Sequence, residues 1–125
     1  MNEDYVSFKV AKLLKEKGFK WLVNHYYNKY GNFNNTYETW ENYSDLIGEL
    51  MISAPTLYMA QKWLREKKEI HITLDISQSG YYAVLWKTNG TFIKTLVDKG
   101  LNSDGVWNTY EDAMDAGIYE ALKLI

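Results

Sequence analysis

Residues 69–97 read EIHITLDISQSGYYAVLWKTNGTFIKTLV. In the opening run, Ile70, Ile72, Leu74 and Ile76 alternate with His71, Thr73 and Asp75. Period-two alternation of this kind is the signature of a strand with one side on a core. Ser77-Gln78-Ser79-Gly80 turns the chain into a second strand, Tyr81–Thr88. Asn89-Gly90 then signals a two-residue type I′ hairpin, whose central positions both need positive φ. A third strand, Thr91–Val97, follows. With Thr88 opposite Thr91, Trp86 falls opposite Ile93, Val84 opposite Thr95 and Tyr82 opposite Val97. These residues are expected to join the isoleucine side in the core. Tyr81, Ala83, Leu85, Phe92, Lys94 and Leu96 then share the other side, which is too apolar for an ordinary solvated surface. Tyr81, Leu85, Phe92 and Leu96 are therefore expected to form an interaction surface, covered by residues 20–52 or by a second copy of the chain.

Working outward, a helix over about 54–67 precedes the strands. Ser53 is the expected cap, and Pro55 is harmless in a first helical turn. Leu57, Ala60 and Leu64, widened by Met59 and Trp63, form its apolar face, while Lys62, Arg65, Lys67 and Lys68 take the other. A last helix, about 110–124, opens on Thr109 and Asp112, a capping pair. Its bulky stripe of Tyr110, Met114, Ile118, Leu122 and Ile125 is flanked by the small row Ala113, Gly117, Ala121. A glycine inside a helix costs about 1 kcal/mol relative to alanine, so close packing is its expected reason. The order from residue 54 is helix, three antiparallel strands, helix. An α+β, two-layer domain with a three-stranded sheet flanked by helices is predicted. The loop Asp98–Asn108, with Gly100 and Gly105, lets the chain cross back.

That element order resembles the double-stranded RNA-binding domain, a family that reads RNA by shape and phosphate contacts. In that family the second helix begins with lysines aimed at phosphates. The matching stretch here, Thr109-Tyr110-Glu111-Asp112-Ala113, is acidic and repels them, so the likeness is one of topology and carries no function.

Upstream, Val6, Val10, Leu13 and Leu14 recur at helical spacing and predict a helix over 4–17, stopped by Gly18 with Phe19 folding back on Leu14. In residues 20–52 the expected pieces are a strand Trp21–Tyr27, a turn over Lys29-Tyr30-Gly31-Asn32, a shorter strand Thr36–Trp40, and a helical turn or extended piece over Asp45–Ile52. Asn32-Phe33-Asn34-Asn35 reads as turn. The whole, 1–125, is expected to be one domain: helix 1–19, an aromatic and asparagine-rich connection 20–52, possessing an extra hairpin, and a core 53–125.

Composition narrows the chemistry. The 125 residues are 46% hydrophobic and 24% charged, with a net charge of −2 and no cysteine. Disulfides, thiolate nucleophiles, Fe–S clusters and cysteine-held zinc are excluded. Aromatic residues make up 16% of the chain, which fills a small core or marks an interface. No apolar run approaches the roughly 18–20 residues that span a bilayer. The polar, acidic opening Met1-Asn2-Glu3-Asp4 predicts no secretory signal and a cytoplasmic location. The two histidines, His25 and His71, have no metal-ligand spacing, and His71 lies roughly 13 Å along its strand from Asp75, beyond hydrogen-bond reach. No phosphate loop or serine elbow occurs. A non-enzymatic protein without cofactor, metal or catalytic residues is expected. Charge is uneven: Lys9, Lys12, Lys15, Lys17 and Lys20 cluster early, while Asp98, Asp104, Glu111, Asp112, Asp115 and Glu120 outweigh Lys99 and Lys123 late. Lys9, Lys12 and Lys20 with Lys62, Arg65 and Lys68 form one basic patch if the first two helices lie side by side. That patch is the basis of an alternative, nucleic-acid-associated reading.

Ile52-Ser53-Ala54-Pro55-Thr56-Leu57-Tyr58-Met59-Ala60-Gln61-Lys62-Trp63-Leu64-Arg65-Glu66 resembles a family of short uncharacterised proteins encoded in prophages and mobile elements of gut anaerobic bacteria. Val10–Phe19 and the closing Thr109–Ala113 and Glu120-Ala121-Leu122 are similar too. The resemblance implies a phage-accessory context and transfers no active residue. Protein contacts, with a second copy of the chain as one partner, are the expected mode of action, and no membrane partner is expected.

Overall fold

A computed structural model describes residues 4–35, 40–45 and 51–125. The chain divides into two compact units, Met1–Met59 and Ala60–Ile125, each taken by itself below. Its class is α+β, with three α-helices and two small antiparallel three-stranded sheets among the described residues.

In the first unit, α1 spans Phe8–Glu16, with Ser7 accepting from the Val10 amide. It starts four residues later than its periodicity suggests. The preceding backbone is extended instead, Val6 N donating to the Pro55 carbonyl and Leu57 N to that of Asp4. Its end follows the expected cap: Gly18 is left-handed (φ 93°), Phe19 N reaches the Leu14 carbonyl at 2.9 Å, and both side chains are buried. The sheet has the order β2-β1-β3, from β1 (His25–Asn28), β2 (Phe33–Asn35) and β3 (Met51–Ser53). Phe33–Asn35 is thus strand rather than turn, and pairs with β1 as Tyr27↔Phe33 and Tyr26↔Asn34. The bend between them is Lys29-Tyr30-Gly31, with Asn28 Oδ1 accepting from the amides of Tyr30 and Asn32. The strand expected at Thr36–Trp40 lies, but for Trp40, outside the described residues, as does most of the piece at Asp45–Ile52.

This small unit is held by rings. Tyr5, His25 and Phe33 meet at centroid distances of 4.4–5.1 Å, and Phe33 in turn reaches Tyr27 and Phe8 follows. Large rings bury more area per residue than short strands otherwise supply, which accounts for part of the aromatic excess. The buried Tyr27 hydroxyl donates to the Val6 carbonyl at 2.6 Å. Ser53, expected to cap the second helix, is a strand residue: its Oγ accepts from Ser44 N, and Ser44 Oγ accepts from Ser53 N. The cap is Thr56, whose Oγ1 accepts from the Met59 amide, and α2 runs Leu57–Lys68.

In the second unit, β4 (Ile70–Ser77), β5 (Gly80–Lys87) and β6 (Phe92–Thr95) form an antiparallel sheet in that order. The first hairpin closes on Ser77↔Gly80 and sets Ile72 opposite Leu85 and Leu74 opposite Ala83. The second turn is not type I′. Lys87 N donates to the Thr91 carbonyl and Gly90 N to that of Lys87, with Gly90 alone left-handed (φ 93°). This is a three-residue loop with glycine at its positive-φ position. The extra loop residue shifts Trp86 onto Phe92, and a bulge at Leu85/Trp86 restores Val84↔Thr95. Past β6 the chain is organised by Asn102, whose Oδ1 accepts from the Asp104 and Val106 amides and whose Nδ2 donates to the Ser79 carbonyl. Trp107 then exchanges both backbone bonds with Tyr81. Helix α3 (Tyr110–Lys123), capped by Thr109, lies on the sheet at the small row. A Cβ placed on Gly117 would stand 2.8 Å from Ala83 Cβ and 3.1 Å from Ile72 Cγ2, so close packing is the reason for that glycine.

Candidate functional site

Pairing fixes the two sides of the second sheet, because directly opposed residues point the same way. Ile70, Ile72, Leu74 and Ile76 share a side with Tyr81, Ala83 and Leu85, and α3 covers it. His71, Thr73 and Asp75 share the other with Tyr82, Val84 and Trp86. The expected assignment is therefore reversed for β5. Leu85 and Leu96 are both 0% exposed, and Leu96 N bonds the Ala83 carbonyl. Tyr81 is half-buried on the α3 side, its ring 5.9 Å from that of Tyr110. Phe92 alone of the four lies on the opposite side, 55% exposed, edge-on to Trp86 at 5.7 Å. Trp86 is held from behind by its Nε1, which donates to Thr73 Oγ1 at 2.9 Å. Tyr81, Leu85, Phe92 and Leu96 accordingly form no common surface.

Of the six basic residues, Lys9, Lys12 and Lys20 belong to the first unit and Lys62, Arg65 and Lys68 to the second. Lys9 and Lys12 stand exposed on α1, Lys12 over the Phe8 ring, and Lys20 follows beyond it. Lys62 and Arg65 are half-buried on α2, and exposed Lys68 sits over the Trp63 ring at 5.5 Å. Cation–ring contacts of this kind occupy lysines structurally.

Among the described residues no group of three His, Asp or Glu side chains is placed to hold a metal ion. His25 is buried between Tyr5 and Phe33, its Nδ1 donating to Asn24 Oδ1 at 2.7 Å. Burial holds its pKa below the ordinary histidine value. It packs and does not face an open site. A cleft of about 530 Å³ lies between Lys68, Glu69, Lys87, Asn89, Ile93 and Leu124. Its rim offers charge and hydrogen bonds but no histidine.

The feature that stands apart is the outer edge of β4. Thr88 N donates to the Glu69 carbonyl, which puts Glu69, His71, Thr73, Asp75 and Ser77 in the hydrogen-bonded phase with β5. By alternation, the N–H and C=O groups of Ile70, Ile72, Leu74 and Ile76 point away from the sheet. Among the described residues no strand pairs with that edge. Sheet edges are ordinarily guarded by lysine, proline, bulges or shortness. The opposite edge has such guards: β6 is four residues long, carries Lys94 and follows a bulge. β4 is eight residues long and has no lysine, proline or bulge, but it is buried at Ile70 (6% exposed) and Ile72 (4%) and opens to solvent toward Asp75 and Ile76 (73%). The alternation 70–76 without proline or lysine was the sequence signal for this edge, but which strand ends a sheet is a matter of topology.

No helix among the described residues is long and apolar enough to cross a membrane. Set against family models, curated proteins and solved structures, the chain matches none of them.

Proposed function

We propose that this chain is a non-enzymatic accessory protein, of the kind prophages and mobile elements carry, and that it acts through protein–protein contacts. The observation that supports this reading is the outer edge of β4, which no strand pairs among the described residues. Of its eight residues, Ile70, Ile72, Leu74 and Ile76 turn their backbone groups away from β5, the edge opens to solvent at its Asp75–Ile76 end, and main-chain pairing at such an edge is a general mode of protein recognition. Exposed Ile76 and Phe92, on opposite sides of the sheet, add apolar area for whatever pairs there. Nucleic acid is the weaker reading, since Lys68 and Lys12 are engaged with rings and the start of α3 is acidic.

A photo-crosslinking residue at Asp75, which is exposed on β4, tests this in the producing cell. The expected result is a protein adduct from position 75 and none from Glu66, exposed on α2. No adduct from 75, or adducts with nucleic acid instead, would refute the reading. In parallel, labelled random duplex DNA should show no saturable binding. Binding that weakens steeply between low and moderate salt would favour phosphate contacts.

A further inference from the structure

We infer that the loop carrying Leu101 docks into the cleft beside Lys68 and Lys87 of a second copy of the chain. The inference shares the protein-contact reading above but stands on other residues, so the two can fail separately.

Leu101 is 89% exposed, more than any other large apolar side chain among the described residues. A single exposed leucine is ordinary on a protein surface. This one is held out by a closed loop. Gly100 N donates to the Gly105 carbonyl at 2.7 Å and Asn102 N to that of Val106 at 3.1 Å, so both neighbours of Leu101 are tied down. The Asn102 side chain also donates to Ser79 O and to Asn108 Oδ1. A Cβ on Gly100 would stand 2.3 Å from the Val106 backbone, a measure of how tightly the loop closes. An apolar side chain presented on a fixed backbone loses little freedom when a partner covers it. Exposed Asp98 and Asp104 flank the tip and outweigh exposed Lys99.

The cleft has the opposite character. Its volume of about 530 Å³ is lined by Ile93, Leu124 and Ile125, and Lys68, Lys87 and Glu69 stand around it. Leu124 is 48% exposed, so apolar surface is open there. Helices α2 and α3 both end beside it. Lys67, Lys68 and Lys87 outweigh Glu69 and the partial negative charge of the two helix ends, about half a unit each. An acidic loop with an apolar tip thus matches a basic cleft with an apolar lining.

Both features belong to the second unit, at opposite ends of one strand. The loop is fastened at Ser79 and, through Trp107, at Tyr81, where β5 begins. The cleft lies where β5 ends, at Lys87. Eight strand residues separate the two by roughly 23 Å, so no copy can fill its own cleft and a second copy must.

Sedimentation equilibrium from micromolar to millimolar concentration tests the inference. The wild-type mass should rise above one 14.7 kDa copy as concentration increases. Leu101→Ser removes the apolar tip and should raise the Kd by about tenfold or more. Lys68→Glu with Lys87→Glu reverses the rim and should raise it by a similar factor through like-charge repulsion. All three side chains are exposed, so circular dichroism should show both variants folded. The first variant keeps an intact cleft and the second an intact loop. Where each alone stays at one copy, an equimolar mixture should form a particle of two copies, with a Kd within roughly threefold of wild type. A wild-type mass fixed at one copy overturns the inference. So does association that either variant leaves unchanged, or a mixture that stays at one copy. If the chain is a monomer yet position 75 captures another protein, the loop-and-cleft contact falls and the protein-contact reading stands. Complementing variants without an adduct from position 75 establish this contact and remove the β4 edge.

Discussion

Replacing Gly117 with alanine sets two opposed effects against each other. Propensity alone favours alanine by about 1 kcal/mol in a helix interior. The new methyl, however, would stand 2.8 Å from Ala83 Cβ, where carbon atoms prefer about 3.5–4.0 Å. Ala83 Cβ is bonded directly to a central strand and cannot swing aside. Helix α3 must therefore lift by several tenths of an ångström, and fully buried Ala113, Ile118 and Ala121 lift with it. A gap of that size forfeits roughly a quarter to a half of each contact's attraction. Overpacking of well-filled sites costs about 1–3 kcal/mol. The net expectation for Gly117→Ala is a loss of about 1–2 kcal/mol, read by urea denaturation followed by circular dichroism, with a fall in Tm of roughly 3–10 °C. Adding Ala83→Gly removes the clashing methyl, so the double-mutant cycle should show a favourable coupling of about 1 kcal/mol or more. A neutral or stabilised Gly117→Ala, or a cycle without coupling, would mean that α3 does not rest on β4 and β5 as described.

Leu85→Ala should cost about 2–5 kcal/mol in the same assay, as core truncations do, and Phe92→Ala under about 1 kcal/mol; the reverse order would restore the outward-facing Leu85. Burial lowers the pKa of His25, so on acidification the unfolded chain takes up this proton first. Stability from this group is complete above about pH 6.5 and declines as pH falls below it toward the folded-state pKa. Replacing His25 with Phe should flatten the difference in denaturation midpoint between pH 7 and 5, and an unchanged slope would assign the acid sensitivity elsewhere.

The parts of the fold that were legible had patterns long enough to count. β4 alternates over seven residues, and α3 shows both its cap and its small row. The sides of β5 were not legible from that strand alone. Tyr81-Tyr82-Ala83-Val84-Leu85-Trp86 is apolar on both sides, so only the turns could assign it. The Ser77–Gly80 bend carried the parity that matters, pairing Ile72 with Leu85. The Asn89-Gly90 pair suits either a two-residue loop or a three-residue loop with glycine left-handed, and the bulge cancels the difference by Val84↔Thr95. One pair thus agrees with the sequence expectation while Trp86 meets Phe92 rather than Ile93. The first unit was harder, because strands of three and four residues leave no period to detect. Its signals were an asparagine side chain closing a turn, which is local, and rings supplying the core, which depend on neighbours distant in sequence.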